Sequence, residues 1–416
     1  LSMKLICPLK TLDKILLSLM LLFLVGCSKT GNEGIDTESD SQLITVDFVE
    51  MSDSEKTVAL SDIAQDISYV KLETNENVLI NNTNKIKLTK NFIFISDFSN
   101  LYQFSKTGEF IRKIGNKGRG PGEYIHISSL EINEKQDKIY VYCSTRKKLF
   151  VYNFKGEFCR QFNLPQINEL TFVRDSLFLA HANVHVGNEE YIFYLINPSS
   201  DTIPVVENHF NWEHKSDYLM SIFGDNSPYY RFQQNLYFKD TYNDTIYKFD
   251  NDSLSHTPVY YINLGKYDMP DKKRLSYTVD ASKFKKYCDD YYQINVKESN
   301  DYLWIQYYTY NYFTQSEPAY GLYNKNQKKC FTIVDSKGEK SCIVNDFTAG
   351  EDFWPVLIQE NTMIDYIQPF EIKESLRDNV ENDSLVKLPG RRDTLRKIVS
   401  QSNKNDNPII RIVTLK

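Results

Sequence analysis

The sequence has 416 residues, 41% of them hydrophobic and 14% aromatic, with 29 Tyr and 25 Phe. That apolar content excludes general disorder, and a net charge of −6 leaves no broad basic field for nucleic acid or an anionic membrane surface. The seven cysteines are scattered, form no CxxC pair, and describe neither a disulfide framework nor a zinc site.

The chain opens with Lys4, Lys10 and Lys14, followed by the apolar run Ile15 to Val25, interrupted only by Ser18. Leu24-Val25-Gly26-Cys27 follows, and then a polar stretch rich in Gly, Ser and Asp. A basic start before a short apolar core describes a secretory signal, because a spanning helix needs about 20 apolar residues. The small Gly26 before Cys27 fits a lipoprotein cleavage site. The expectation is therefore a signal peptide over 1–26, a lipid on Cys27 and a flexible tether through residue 43. A lipidated Cys carries several acyl chains, each worth roughly 0.8 kcal/mol per buried CH₂, enough for stable membrane anchoring. Ser28, where an Asp would retain the protein at the inner membrane, points to the outer membrane of the cell envelope.

Residues 44–416 are expected to form a single β-propeller domain. Two segments in it superpose without a gap. Asn91 to Ser96, Leu101 to Phe104 and Gly108-Glu109-Phe110 are matched by Ile139 to Ser144, Leu149 to Tyr152 and Gly156-Glu157-Phe158, each position 48 residues further on. Each unit reads as strands joined by tight turns, one of them containing a glycine. Leu177 to Leu179 with Tyr191 to Ile196 continue the pattern, as do Leu236 to Phe238 with Ile246 to Phe249. Tyr302 to Tyr310 with Ala319 to Tyr323, and Phe353 to Ile358 with Met363 to Ile367, add stretched units. A period in the forties is that of propeller blades. The fold class is all-β, a six-bladed β-propeller, with seven blades as the alternative. Ile67 to Leu72 and Ile409 to Leu415 are placed to share one blade and close the ring.

Two regions break the pattern. Residues 270–295, with Pro270, Leu275, Val279, Phe284, Tyr287 and Tyr291 at helical spacing, predict a helical insertion. Phe370 to Leu376 and Leu395 to Val399 predict two short helices around Pro389.

With these units in hand, the chain resembles the six-bladed β-propeller lipoproteins of Gram-negative gut bacteria, relatives of the NHL-type propellers. The residues that carry the resemblance are Tyr69-Val70-Lys71-Leu72-Glu73-Thr74, the run Ile114 to Tyr124, Asn243-Asp244-Thr245-Ile246-Tyr247 and Asn407-Pro408-Ile409-Ile410. The resemblance implies a fold and an envelope address. It implies no reaction, since fold does not carry function.

The densest motif is Gly115 to Tyr124. Its glycine spacing is neither the dinucleotide fingerprint nor a P-loop. It reads as a tight inter-blade loop whose Lys117, Arg119, Glu123 and Tyr124 are the candidates for a ligand-binding face. His181 and His185 would lie about 13 Å apart on a strand, too far for one zinc. Asp250-Asn251-Asp252-Ser253 lacks a calcium loop's glycine and glutamate, and reads as a turn. No motif asks for a cofactor or a metal, and no nucleophile elbow appears. Two functions compete. One is a non-catalytic binding or scaffold module for a glycan, a peptide or an envelope protein. The other is a propeller hydrolase or lyase using polar channel residues, with a metal as its assistant. Converging carboxylates or histidines around the channel favour the enzyme, and an apolar, aromatic rim favours binding.

Overall fold

The computed structural model describes residues 43–416, apart from 175, 183–188, 198, 200, 210–226, 242, 274–281, 283–284, 311–316 and 379–385. These residues form a six-bladed β-propeller. The first blade runs Lys85–Leu88, Phe92–Ser96, Leu101–Ser105 and Phe110–Ile114. The second runs Ser129–Asn133, Lys138–Cys143, Lys148–Tyr152 and Phe158–Asn163. The third comprises Glu169–Arg174, Leu177–His181, Tyr191–Ile196 and Thr202–Glu207. The fourth comprises Tyr229–Phe232, Asn235–Phe238, Thr245–Asp250 and Ser255–Asn263, and the fifth Tyr292–Glu298, Tyr302–Thr309, Ala319–Asn324 and Lys329–Ile333. In each of these the strands pair antiparallel in chain order, with the first innermost.

The sixth blade closes the ring as expected. Leu357–Gln359, Thr362–Ile367 and Ile409–Leu415 come from the end of the chain, and Ala64–Lys71 from near its start supplies the outer strand. Ile410 lies opposite Val70 and Ile412 opposite Ser68.

Why blades stack is visible in their burial. Middle strands such as Phe92–Ser96 and Lys138–Cys143 are apolar on both faces and almost wholly buried. One blade cannot cover both of its own faces, so apolar clusters form at the six interfaces between neighbours. The repeat extends to backbone detail. Gly108 and Gly156, 48 residues apart in sequence, take φ of +89° and +79° in the same hairpin turn. At Gly108 a Cβ would sit 2.1 Å from the carbonyl oxygen of Lys71, so the first blade could not settle against the closing one.

Ahead of the closing strand the chain runs around the outside of the ring. Ile44–Asp47 adds a parallel fifth strand to the fourth blade, and Glu55–Lys56 does the same to the fifth. Between them helix α1 (Phe48–Asp53) is capped by Asp47, whose carboxylate accepts the N–H groups of Val49 and Glu50. Its Phe48 and Met51 fill the interface of the fourth and fifth blades. Helix α2 (Leu60–Ile63) fills the next interface with Leu60 and Ile63.

The two predicted C-terminal helices are α3 (Pro369–Asp378) and α4 (Pro389–Ser400), inserted between the second and third strands of the closing blade. Pro389 opens α4, where its missing N–H costs nothing. The predicted insertion over 270–295 is corrected at its end. Tyr292 to Asn295 belong to the inner strand of the fifth blade, because Ile294 and Val296 pack into the interface with the fourth. Much of the rest of that segment, and Cys27 with the whole proposed leader, lie outside the described residues.

Candidate functional site

The inner strands enclose a cavity of about 750 Å³ on the axis of the ring. Its wall comes from the first, fourth, fifth and sixth blades, with Glu169 from the third. Titratable groups converge on it, and nearly all are already paired. Lys85 Nζ reaches from the first blade to Glu169 in the third, at 2.7 Å. Beside it Lys87 Nζ lies 2.9 Å from Glu131 of the second blade. Glu298, which is 3% exposed, accepts hydrogen bonds from Tyr230 at 3.0 Å, Tyr260 at 2.9 Å and Lys325 at 2.9 Å. That carboxylate joins the fourth blade to the fifth.

In the closing blade Arg411 donates twice to Asp365, at 2.8 and 2.6 Å, and its remaining N–H groups reach the carbonyl oxygens of Glu351 and Asp352. Burial pushes the Asp365 carboxyl up to about 6 against the pull of Arg411, so it stays ionised at neutral pH. Asp352, also raised by burial, accepts the Ser341 hydroxyl at 3.1 Å. Glu371 accepts the N–H of Gln368 at 2.8 Å, and Arg231 donates to the carbonyl of Phe172.

Lys297 is the exception. It lines the same cavity, and among the described residues no hydrogen bond or carboxylate meets its Nζ. Its side chain is still partly open to the channel, but protein surrounds it. The lost hydration lowers the ammonium to about 8. Trp354 and Tyr320 add an aromatic wall, their rings 4.4 Å apart, and Cys342 beside them has its thiol pushed up to about 12 by burial.

The sequence-predicted loop behaves differently. Gly115 and Gly122 take φ of +64° and +69°, which lets Asn116–Lys117 pair in parallel with Glu123–Tyr124. Arg146 holds the loop from the second blade by donating to the carbonyl oxygens of Arg119, Gly120 and Glu123. Glu123 Oε2 accepts the N–H of Gly120 at 2.8 Å and fills the space beside Gly118. Tyr124 is completely buried, donating to the Ile114 carbonyl at 2.5 Å between the first two blades. The expectation that Tyr124 faces a ligand is therefore corrected: it is core, and Glu123 is spent inside the loop. Lys117 and Arg119 do present exposed side chains, but neither lines the axial cavity.

Other sequence candidates resolve as follows. His181 Nε2 lies 3.1 Å from Asp240, both buried at the contact of the third and fourth blades, while His185 falls outside the described residues. Asp250 Oδ1 accepts the N–H of Asp252 at 2.8 Å, closing the expected turn. His126, which no sequence motif singles out, meets the hydroxyls of Ser128 at 2.8 Å and Ser144 at 3.0 Å. Its Nδ1 faces Thr145 at 3.4 Å and Cys143 at 3.9 Å, not the carboxylate that orients a catalytic imidazole. The five cysteines of the described part are free thiols.

Sequence reasoning missed Lys87, Arg231 and Lys297. The available signal was positional. Each is the next-to-last residue of an inner strand, in Lys85–Leu88, Tyr229–Phe232 and Tyr292–Glu298.

A solved structure of a Bacteroides fragilis protein described as exported is 23% identical, with a TM-score of 0.68 over 90% of this chain and 99% of that one. A DUF4221-family member from Bacteroides vulgatus is 9% identical, with a TM-score of 0.49 over 85% of this chain and 97% of that one. No curated protein matches the sequence. The family model for the domain of unknown function DUF4934 matches residues 43–414, essentially the entire ring, and the chain belongs to that family.

Proposed function

We infer that this propeller is a membrane-anchored, non-catalytic binding module of the bacterial cell envelope, which takes a solute such as a glycan or peptide fragment into its axial channel. The observation that carries the reading is the state of the channel's carboxylates. Glu169, Glu298 and Asp365 are each tied to a cation, and Asp352 and Glu371 to a hydroxyl or a backbone N–H. A general acid and base must be free to exchange protons with a substrate, and these groups are held as struts. What the wall does offer is an aromatic pair and polar amides around a roomy cavity, the usual character of a binding site. The anchor rests on the basic and apolar leader of residues 1–26 and the Cys27 that follows it.

A thermal-shift screen of the full chain against monosaccharides, disaccharides and short peptides tests the binding half, with each mixture analysed afterwards for turnover. A raised melting temperature with the solute intact supports the reading. Consumption of the solute establishes catalysis instead, and a screen without any shift overturns it. For the anchor, Cys27→Ala is expected to leave the membrane fraction or to accumulate as precursor. Unchanged size and membrane retention would rule the lipid out.

A further inference from the structure

We propose that the channel binds a small organic anion, with the ammonium of Lys297 pairing with the carboxylate, sulfate or phosphate oxygens of the ligand. This rests on the channel being the binding site and adds the charge of what it takes. The geometry behind it is a comparison of equivalent positions. Lys87, Arg231 and Lys297 stand next to last in the inner strands of the first, fourth and fifth blades, and all three line the cavity. Lys87 is neutralised by Glu131, and Arg231, which keeps its charge, is held by a hydrogen bond to the Phe172 carbonyl.

Lys297 has no such partner among the described residues, although its own neighbour in sequence is a carboxylate. Glu298 also borders the cavity, but it alternates with Lys297 across the strand and is spent on hydrogen bonds from Tyr230, Tyr260 and Lys325. A cation enclosed by protein without a counter-charge is costly to hold, and side chains in that state are ordinarily found paired. Here the missing partner is a group from outside, arriving through a 750 Å³ cavity that Lys297 lines. The lowered ammonium follows from the same isolation, and an arriving anion would restore its proton. The amides of Asn82, Asn84 and Asn295 and the Trp354–Tyr320 pair line the same space, which suits the polar and ring parts of such a ligand.

The test uses the full chain and three probes, sodium sulfate, D-glucuronate and D-glucose, titrated by calorimetry at constant ionic strength. Glucuronate and glucose share a ring and differ in one carboxylate. The unsubstituted protein is expected to bind glucuronate at least tenfold more tightly than glucose and to bind sulfate. Lys297→Met should erase the preference, Lys297→Arg should keep most of it, and glucuronate affinity should fall as pH rises above 8. Lys297→Met loses no partner within the protein, so its melting curve checks that the fold is intact. The proposal is overturned if glucuronate and sulfate bind no better than glucose, or if Lys297→Met retains the preference. Equal binding of the two sugars removes the anion but leaves the channel as a binding site. Failure of all three probes removes the anion too, whereas the wider reading falls only with the neutral solute screen.

Discussion

Val70 lies directly opposite Ile410 across an antiparallel pair, so residues from near the two ends of the propeller share a sheet. The ring is therefore closed by non-covalent pairing alone. Deleting Asn407 to Lys416 removes the third strand of that blade and leaves the outer strand Ala64–Lys71 without a strand to pair with. The truncated chain is expected to lose its cooperative unfolding transition altogether, followed by circular dichroism. A truncated protein melting at the original temperature would show that closure is dispensable.

A single side chain at the same seam makes a finer test. Asn407 is fully buried, accepts the N–H of Ile80 at 2.7 Å, and donates to the carbonyls of Glu73 at 2.7 Å and Val78 at 3.1 Å. Asn407→Ala takes the side-chain partner from the Ile80 N–H and the Glu73 carbonyl, and leaves the Val78 carbonyl with only the Asn75 N–H at 3.4 Å. A loss of about 2–4 kcal/mol in urea denaturation is expected, from a buried-group penalty of about 1–3 kcal/mol each that relaxation partly relieves.

The Asp365–Arg411 pair predicts a strong asymmetry between single and double substitutions. Asp365→Asn leaves a buried guanidinium without its counter-charge and should cost about 3–5 kcal/mol. Asp365→Leu combined with Arg411→Met should cost clearly less than the sum of the two singles. Additive losses in a double-mutant cycle would mean that the two side chains act independently.

Gly115 and Arg119 separate structure from surface in the inter-blade loop. Gly115→Ala places a methyl 2.7 Å from the Tyr152 hydroxyl at a positive φ, and should destabilise by 1 kcal/mol or more, to order of magnitude. Arg119→Ala should change stability by less than about 0.5 kcal/mol, since only its carbonyl is used by Arg146. Equal melting temperatures for the two variants would contradict this division.

Lys297 gives a pH dependence whose sign is fixed. Its folded value, about 8, lies below the roughly 10.4 of an unfolded lysine. Between those values the unfolded chain holds more protons, so stability rises with pH across that window and is lost as pH falls through 8. The amplitude is at most about 3 kcal/mol, and smaller to the extent that channel water reaches the ammonium. Lys297→Met should therefore be more stable than the unsubstituted protein at pH 7, with the gain shrinking as pH approaches 10. Parallel stability curves for the two proteins would show that the ammonium is fully hydrated.

How far the sequence could be read follows from what each signal depends on. Blade number, the closing strand and both C-terminal helices were legible because they rest on local periodicity, and the 48-residue match made the period explicit. The start of the fifth blade was misread because Tyr287 and Tyr291 also satisfy a helical spacing, and the strand from Tyr292 declares itself only by packing on the fourth blade. The loop from Gly115 to Tyr124 was recognised as tight, but its polar residues looked available. Nothing local shows that Arg146 would take three of its carbonyls or that Tyr124 would be sealed between blades. Lys297 was missed for the converse reason. Its isolation is a property of three other blades, and a lysine beside a glutamate reads as an ordinary solvated pair until the strand turns the two apart.

The stretch from Ile44 to Lys71 follows the circumference of three successive blades, edge strand to wedge to edge strand to wedge to outer strand. It is thus a strap that precedes in the chain the fourth, fifth and sixth blades that it grips. It also sets how the ring would carry a load. A pull on residue 43 acts along Ile44–Asp47, whose parallel partners Tyr260–Asn263 would have to slip together and could not peel away one by one. A propeller held from this end would hang by its rim at the fourth blade, through the parallel pairing of Ile44–Asp47 with Tyr260–Asn263.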